Sequence, residues 1–171
     1  ACCWFNTLVL QFPSAIAPTQ FRYVTANDAP ERDPVQWTLL GSNNGNTWAT
    51  IHTQASSATI TSDRKAVTQY FAIDLPEATS FPTVSPTPLT IRFTHFRWTV
   101  TSPGSGEADL VQYSEFELWS ATAKFSTSGA AASSPDAREA FGNDEGADKA
   151  VDSDYSTKAC CWFNTLVVQF P

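Results

Sequence analysis

One thirteen-residue segment occurs twice in this chain, and it constrains the fold more than any other feature. Residues 1–13 read ACCWFNTLVLQFP and residues 159–171 read ACCWFNTLVVQFP, so that only Leu10 and Val168 differ. Agreement at the other twelve positions predicts a polypeptide that repeats every 158 residues. This period is too long for a solenoid repeat and has the size of a globular domain, so we expect one period plus an overlap from an array of domains.

The composition is that of a folded, acidic domain. Hydrophobic residues make up 42% and charged residues 16% of the chain, which is typical of sequences that bury a core. The net charge is −7, and no basic stripe interrupts it, so phosphate backbones are repelled and nucleic acid is not expected as a partner. No stretch is long and apolar enough to predict a membrane span.

The four cysteines all lie in the duplicated segment, as Cys2, Cys3, Cys160 and Cys161. Adjacent side chains of an extended strand point to opposite faces, so neighbouring cysteines cannot bond to each other unless the backbone is distorted. In an oxidising compartment we expect disulfides to another repeat or chain, or a strained vicinal disulfide at a turn. Reduced, buried thiols are the alternative.

Short alternating segments separated by Asn, Gly and Pro turns predict an antiparallel β-sandwich. Residues 90–101 are predicted as the strongest strand, with a bulge where the alternation slips between Phe93 and Phe96. Residues 111–119 are predicted as one continuous strand, and the strand over residues 8–12 is expected to end at Pro13. Further strands are predicted over residues 20–25, 35–40, 48–53 and 70–73.

A family resemblance covers the middle of the chain. The run TANDAPERDPVQWTLLGSNNGNTWATI, residues 25–51, resembles the central part of the discoidin, or coagulation factor 5/8 type C, domains. The resemblance lies in the NDAPERDP loop, the Trp37-Thr38-Leu39 strand, Gly41-Ser42-Asn43 and Trp48. These domains are all-β, galactose-binding-like antiparallel sandwiches of the jelly-roll kind, similar to the family 32 carbohydrate-binding modules, and the resemblance implies that fold here.

The order of the resembling segments places a domain boundary inside the chain. Residues 1–120 match the later strands of one repeat, 121–132 a linker and the start of the next repeat, and 133–171 the opening segment of that next repeat. The opening segment resembles the family's Ala-x-Asp-Gly-x-x-x-Thr motif at residues 150–157, with Ser153 in the place of the glycine. We expect residues 124–171 to pack as opening strands against later strands like residues 14–120, of the same chain or the next.

The resemblance also implies a structural calcium ion. In the family, this ion is held by the motif loop and a glutamate of the last strand, mostly through carbonyl and carboxylate oxygens. The matching positions are the carbonyls of Lys149 and Asp154, the side chains of Asp152 and Thr157, and one of Glu115 or Glu117. The alternative is an Asp-rich turn whose carboxylates accept hydrogen bonds from its own amides.

Sugar binding is a frequent activity of the resembled family and uses loops at one end of the sandwich. The candidate carbohydrate-binding residues are Arg22, Asn27, Arg32 and His52, with Trp4 or Trp162 as an aromatic platform. The remaining tryptophans, Trp37, Trp48, Trp98 and Trp119, fall in strand patterns and are expected in the core. Arg32 and Asp33 are expected to form an ion pair that fixes their loop.

A Thr/Ser/Pro-rich stretch, residues 78–90, is predicted to be an exposed, extended loop. In a secreted protein its hydroxyl groups are candidate sites of O-glycosylation, namely Thr79, Ser80, Thr83, Ser85 and Thr87. A plain insertion loop is the alternative. No Asn-x-Ser/Thr sequon occurs in the chain, so N-glycosylation is not expected.

Signatures of catalysis are weak, and we expect no enzyme. His52 and His95 lie in strand patterns with no recognisable nucleophile motif around them. The sequence therefore leaves two functions. One is a structural or adhesive module of an extracellular tandem-repeat protein, whose partners are copies of itself in a fibre, coat or stalk. The other is a carbohydrate-binding module that gains avidity on polymeric glycans through its repeats.

Overall fold

The chain folds as an antiparallel β-sandwich in the computed structural model, which describes residues 6–74, 91–104, 110–135 and 145–162. No helix within these ranges has the length and apolarity needed to cross a membrane. Two short 3-10 helices cover Pro30–Arg32 and Ala147–Ala150. The strands are β1 Asn6–Ile16, β2 Gln20–Val24, β3 Pro34–Ser42, β4 Ala49–Gln54, β5 Phe71–Ala72, β6 Phe93–Pro103, β7 Leu110–Tyr113, β8 Glu115–Trp119, β9 Ala131–Ser133 and β10 Ala159–Trp162.

The strands form one large sheet and two smaller sheets. The large sheet has five strands in the order β4-β3-β6-β1-β9, and the smaller sheets have the orders β5-β2-β8 and β10-β7. All pairings between these strands are antiparallel. The predicted all-β sandwich class is therefore confirmed.

Aromatic side chains fill the space between the sheets. Trp98 of the large sheet packs against Phe116 of β8 at 4.9 Å and against Tyr113 of β7 at 5.0 Å between ring centroids. Trp37, next to Trp98 in the large sheet, meets Phe21 of β2 at 6.3 Å. These rings are at most 2% exposed, so burial of their apolar area between the layers stabilises the fold.

Strand β1 does not end at Pro13, contrary to the prediction. It continues to Ile16, and its pairing with β6 shifts between Gln11 and Ile16. The irregularity of this pairing lies in β1, because four residues of β1, 12–15, but only Thr94 of β6 stand between the pairs Gln11–His95 and Ile16–Phe93. Proline is tolerated there because β9 pairs only with residues 9–11, so no ladder partner is lost at Pro13.

The segment 111–119 is two strands, not one. β7 pairs with β10, whereas β8 pairs with β2. The change occurs at Ser114, whose amide donates to the Val24 carbonyl at 2.8 Å and whose hydroxyl donates to the Thr25 carbonyl at 3.2 Å. The prediction of one continuous strand was wrong because Ser114 bonds to the end of β2 and passes the chain from one sheet to the other.

The loop before β3 is fixed by a partner that is distant in sequence. Asp33 accepts two hydrogen bonds from Arg64, at 2.9 Å and 2.6 Å, and the Asp33 side chain is 4% exposed. Such two-pronged bonding makes full use of the flat guanidinium group. The expected ion pair between Arg32 and Asp33 was therefore wrong.

The two copies of the duplicated segment contribute different parts of the same sandwich. β10 contains the first four residues of the second copy, ACCW, and β1 begins at the sixth residue of the first copy. Ala150 and Ala159 of the C-terminal block belong to the same core as Val111 and Tyr113. The opening segment and the later strands of the resembled repeat thus share one core within a single chain.

Candidate functional site

Two buried glutamates mark the outer face of the three-stranded sheet. Along β8, Phe116 and Leu118 point into the core, so alternation turns Glu115 and Glu117 to the opposite face. Both glutamates are nevertheless buried, at 1% and 2% exposure. Ser153 and Tyr155, which follow the second 3-10 helix, reach these carboxyl groups by hydrogen bonds.

Glu117 is fully engaged by donors. It accepts hydrogen bonds from Arg22 Nε at 2.7 Å, Tyr155 Oη at 2.8 Å and Trp119 Nε1 at 2.9 Å, and Lys124 Nζ lies at 3.4 Å. Burial raises the pKa of a carboxyl group, but the hydrogen bonds from Arg22, Trp119 and Tyr155 outweigh it and lower the pKa of Glu117. A carboxylate held this way ties together β2, β8 and the C-terminal block and is poorly placed to bind a metal.

Glu115 has the opposite electrostatics. It accepts one hydrogen bond from the Ser153 amide, at 2.8 Å. Burial, followed by the neighbouring Asp152 carboxyl, raises its pKa to about 8. Two carboxyl groups that share one small space bind a proton or a divalent cation between them.

The motif turn supplies further oxygen atoms beside Glu115. Thr157 Oγ1 lies 2.9 Å from Asp152 Oδ2 and 3.0 Å from the Asp154 carbonyl. Ser153 adopts a left-handed conformation with φ of 64°, which is the backbone geometry that glycine adopts most easily. Serine thus takes up the turn in the place of the family's glycine.

These oxygens fit a hard cation in part. Glu115, Asp152, Thr157 and the Asp154 carbonyl come together, and Lys149 brings its ammonium to 3.7 Å from Asp152 Oδ2. Within the described residues, however, no group of three or more His, Cys, Asp and Glu side chains is arranged to hold a metal ion. Carbonyl and hydroxyl oxygens would have to complete the ligand set, as is common for calcium.

The predicted carbohydrate-binding residues do not form one site. Arg22 pairs with Glu117 on the outer face, and His52 bonds through Nδ1 to the Ala72 carbonyl at 2.8 Å on another part of the sandwich. Asn27 is exposed in the loop before β3, and Arg32 lies five residues further along that loop. Only Asn27 and Arg32 share a loop.

A polar cleft of about 380 Å³ lies beside the motif turn. Its charged members are held by neighbours, since Lys158 Nζ is 3.4 Å from Asp28 Oδ1 and 3.7 Å from Glu145 Oε1. The other carboxyl oxygen of Glu145 is buried and has no hydrogen-bond partner among the residues that the structure describes. The lining residues are Asn27, Glu145, Lys149, Ser156, Thr157 and Lys158.

Two tryptophans expected in the core lie at its edge instead. Trp48 and Trp119 are partly exposed, and each carries an arginine over its ring. Arg97 lies 4.6 Å from the Trp48 ring centre, and Arg22 lies 4.8 Å from that of Trp119. Trp37 and Trp98 do lie in the core. The arginines pair across strands, so sequence spacing gave no signal for these contacts.

The remaining predicted sites lie largely outside the described residues. Cys2 and Cys3 are outside them, as are Thr79, Ser80, Thr83, Ser85 and Thr87 and the platform candidate Trp4. Cys160 is buried in β10, at 2% exposure. The backbone of Cys161 and Trp162 belongs to β10, and their side chains are not among the described ones.

Comparison with known proteins gives one partial match. No family model matches the chain. A peptide-N(4)-(N-acetyl-beta-glucosaminyl)asparagine amidase from Arabidopsis thaliana is 46% identical over 57 residues, which is 32% of this chain. The match spans only 8% of the amidase, so the likeness concerns a short segment of that enzyme.

Proposed function

We propose that this chain is a non-catalytic structural module of the discoidin, or coagulation factor 5/8 type C, kind. It works outside the cell in an array of near-identical copies that form a fibre, coat or adhesive stalk. The observation that carries the proposal is the duplicated segment, which recurs after one domain length. Identical modules present identical interfaces, and interfaces that repeat along an axis without closing give a filament.

The fold and the motif turn support membership of this family. The sandwich pairs a five-stranded sheet with smaller antiparallel sheets, which suits a jelly-roll. The motif turn at residues 150–157 contacts β8 through the hydrogen bond that the Ser153 amide donates to Glu115. A glutamate facing this turn is what the resemblance implies.

The array is tested by imaging and by mass spectrometry. Electron microscopy of a polypeptide with several periods should reveal filaments whose axial repeat is about one domain length, roughly 40 Å for a sandwich of this size. Intact mass under non-reducing conditions should reveal disulfides between copies, through Cys2, Cys3, Cys160 or Cys161. Dispersed, unlinked particles of a multi-period chain would contradict the proposal.

Mass shifts on residues 79–87 of secreted protein would locate the proposed O-linked sugars.

A structural calcium ion belongs to the same proposal. Glu115, Asp152, Thr157 and the Asp154 carbonyl would hold it, and the ion would neutralise the two facing carboxyl groups. Calcium should raise the midpoint temperature of unfolding of the natural chain and leave that of Glu115→Gln unchanged. Glu31→Gln, at an exposed position, is the matched control and should keep the calcium response. A natural chain whose midpoint is the same in calcium and in chelator would overturn this part.

A carbohydrate-binding module is the second candidate, favoured by the partial likeness to an amidase whose name specifies N-acetyl-beta-glucosaminyl asparagine. The polar cleft beside Asn27 would offer hydrogen-bonding groups to a sugar. A glycan array probed with a chain of several periods tests it. Binding to one class of sugar, lost in Asn27→Ala, would favour this candidate over the purely structural one.

A further inference from the structure

The two copies of the duplicated segment offer two occupants for a single strand position. β1 lies between β6 and β9 in the large sheet, and residues 6–13 of the first copy fill most of it. Residues 164–171 of the second copy have the same sequence apart from Val168 in the place of Leu10. The sandwich has one such position and the chain has two segments that fit it.

The second copy is attached where that position begins. β10 ends at Trp162, which pairs with Leu110 at the start of β7. β1 begins at Asn6, which pairs with Val100 near the end of β6. Only six residues separate the end of β6 from the start of β7 in the sequence, so we infer that the end of β10 and the start of β1 lie at the same end of the sandwich. In the sequence, Phe163 is the one residue between Trp162 and Asn164, the counterpart of Asn6.

The second copy has apolar residues at the positions that pack in the core from β1. Leu8, Leu10 and Phe12 of β1 are the buried residues of the alternating pattern, at 1%, 1% and 5% exposure. Their counterparts are Leu166, Val168 and Phe170. The exchange removes one methylene group from the core and leaves the backbone pairs of positions 6–11 with β6 and β9 available, because ladder hydrogen bonds do not depend on the side chain.

We propose that the β1 position is a strand-acceptor site that takes residues 164–171 of the same chain in exchange for residues 6–13. The exchange keeps β10 in place and releases the first copy of the duplicated segment. In a multi-period polypeptide, the released segment is the one that would join the preceding module. The exchange operates in a single chain and does not depend on an extracellular array.

Charged substitutions in each copy test the exchange. Leu8→Asp buries a charge in β1 unless Leu166 replaces it, and Leu166→Asp leaves Leu8 in place. Each single variant should keep a cooperative thermal transition, with a midpoint within about 10 °C of the natural chain. The double variant should lose the transition. Leu39→Asp is the control, because Leu39 is equally buried in β3 and has no second copy, and it should also lose the transition.

Hydrogen exchange identifies the occupant. In Leu8→Asp, amides of residues 164–170 should be as protected as those of β6, and amides of residues 6–12 should exchange freely. A Leu8→Asp chain that unfolds as fully as the double variant would overturn the proposal, and so would a folded Leu8→Asp chain without protection at residues 164–170. Elution of Leu8→Asp as a dimer in size-exclusion chromatography would overturn the assignment to the same chain.

Discussion

Glu115 and Glu117 are two residues apart on one face of one strand, yet their surroundings give them opposite roles. Glu117 accepts hydrogen bonds from three parts of the chain, donated by Arg22, Lys124 and Tyr155. Glu115 faces another carboxyl group, that of Asp152, and its pKa is raised to about 8 by burial and by that neighbour. One carboxylate is thus a structural anchor, and the other is a carboxyl group that the fold favours in its protonated form.

The raised pKa of Glu115 predicts a pH dependence of stability in the metal-free protein. Between about 4.5 and about 8 the folded chain holds a proton that the unfolded chain releases, so the free energy of unfolding should fall as the pH rises through this range. One such group contributes a slope of at most about 1.4 kcal/mol per pH unit. Urea unfolding in chelator at several pH values measures it.

Comparison with Glu115→Gln isolates this effect. The variant has no group to titrate at residue 115, so its stability should change less between pH 4.5 and pH 8 than that of the natural chain. Burial lowers the pKa of His52, and that group stabilises the fold as the pH rises, so it cannot mimic the predicted fall. Identical pH profiles for the two proteins would contradict the prediction.

Loss of the Glu117 carboxylate should be costly. Glu117→Gln leaves Arg22, with a side chain 16% exposed, beside a neutral amide, and removing one partner of a buried ion pair costs about 3 kcal/mol. Asp148→Asn is the matched control, because Asp148 is 72% exposed and 3.7 Å from Lys149, and surface pairs contribute less than about 1 kcal/mol. Urea unfolding that ranks the two variants equally would refute the anchoring role.

At the scale of elements, alternation predicted the strands but not their partners. Residues 35–40 and 48–53 were found as strands because apolar residues alternate with polar ones and a Gly-Asn turn separates them. The change of sheet at Ser114 was missed although the alternation slips there, since Ser114 and Glu115 are two polar residues in a row. Asp33 and Arg64 pair across 31 residues, a separation that no local pattern encodes. Likewise, only the family resemblance, and no spacing, linked Glu115 to Asp152.

A close contact between β3 and β6 gives a test at this scale. A methyl group on Gly41 would lie 2.5 Å from Cδ2 of Phe93, so Gly41→Ala should destabilise the sandwich by about 1–3 kcal/mol through overpacking. The same substitution in a Phe93→Ala background should cost less, because Cγ and the ring atoms in conflict are gone. A double-mutant cycle measured by urea unfolding gives the coupling free energy between positions 41 and 93. Additive effects of the two substitutions would show that the side chain at position 93 is not the source of the clash.

At the scale of the whole molecule, β10 corresponds to the beginning of the duplicated segment and β1 contains its remainder, each from a different copy. A reordered polypeptide tests this directly. Residues 121–171 followed by residues 14–120 contain the segment once, and Pro171 then precedes Ser14 as Pro13 does in the natural chain. The new connection joins β10 to β1, and the chain is opened at the turn after β8, where Ser120 bonds to Ala123.

The reordered polypeptide should form the same sandwich with similar stability. The connection from β10 to β1 replaces the turn after β8, and both are short. The entropic contribution of loop closure to the free energy of unfolding therefore changes by no more than about 1–2 kcal/mol. Indole signals of the buried Trp37 and Trp98 in ¹⁵N-resolved spectra should match those of the natural chain. Leu166→Asp, tolerated when two copies are present, should now abolish folding because no second copy remains. A reordered polypeptide that fails to fold cooperatively would show that β10 and β1 do not form one continuous segment.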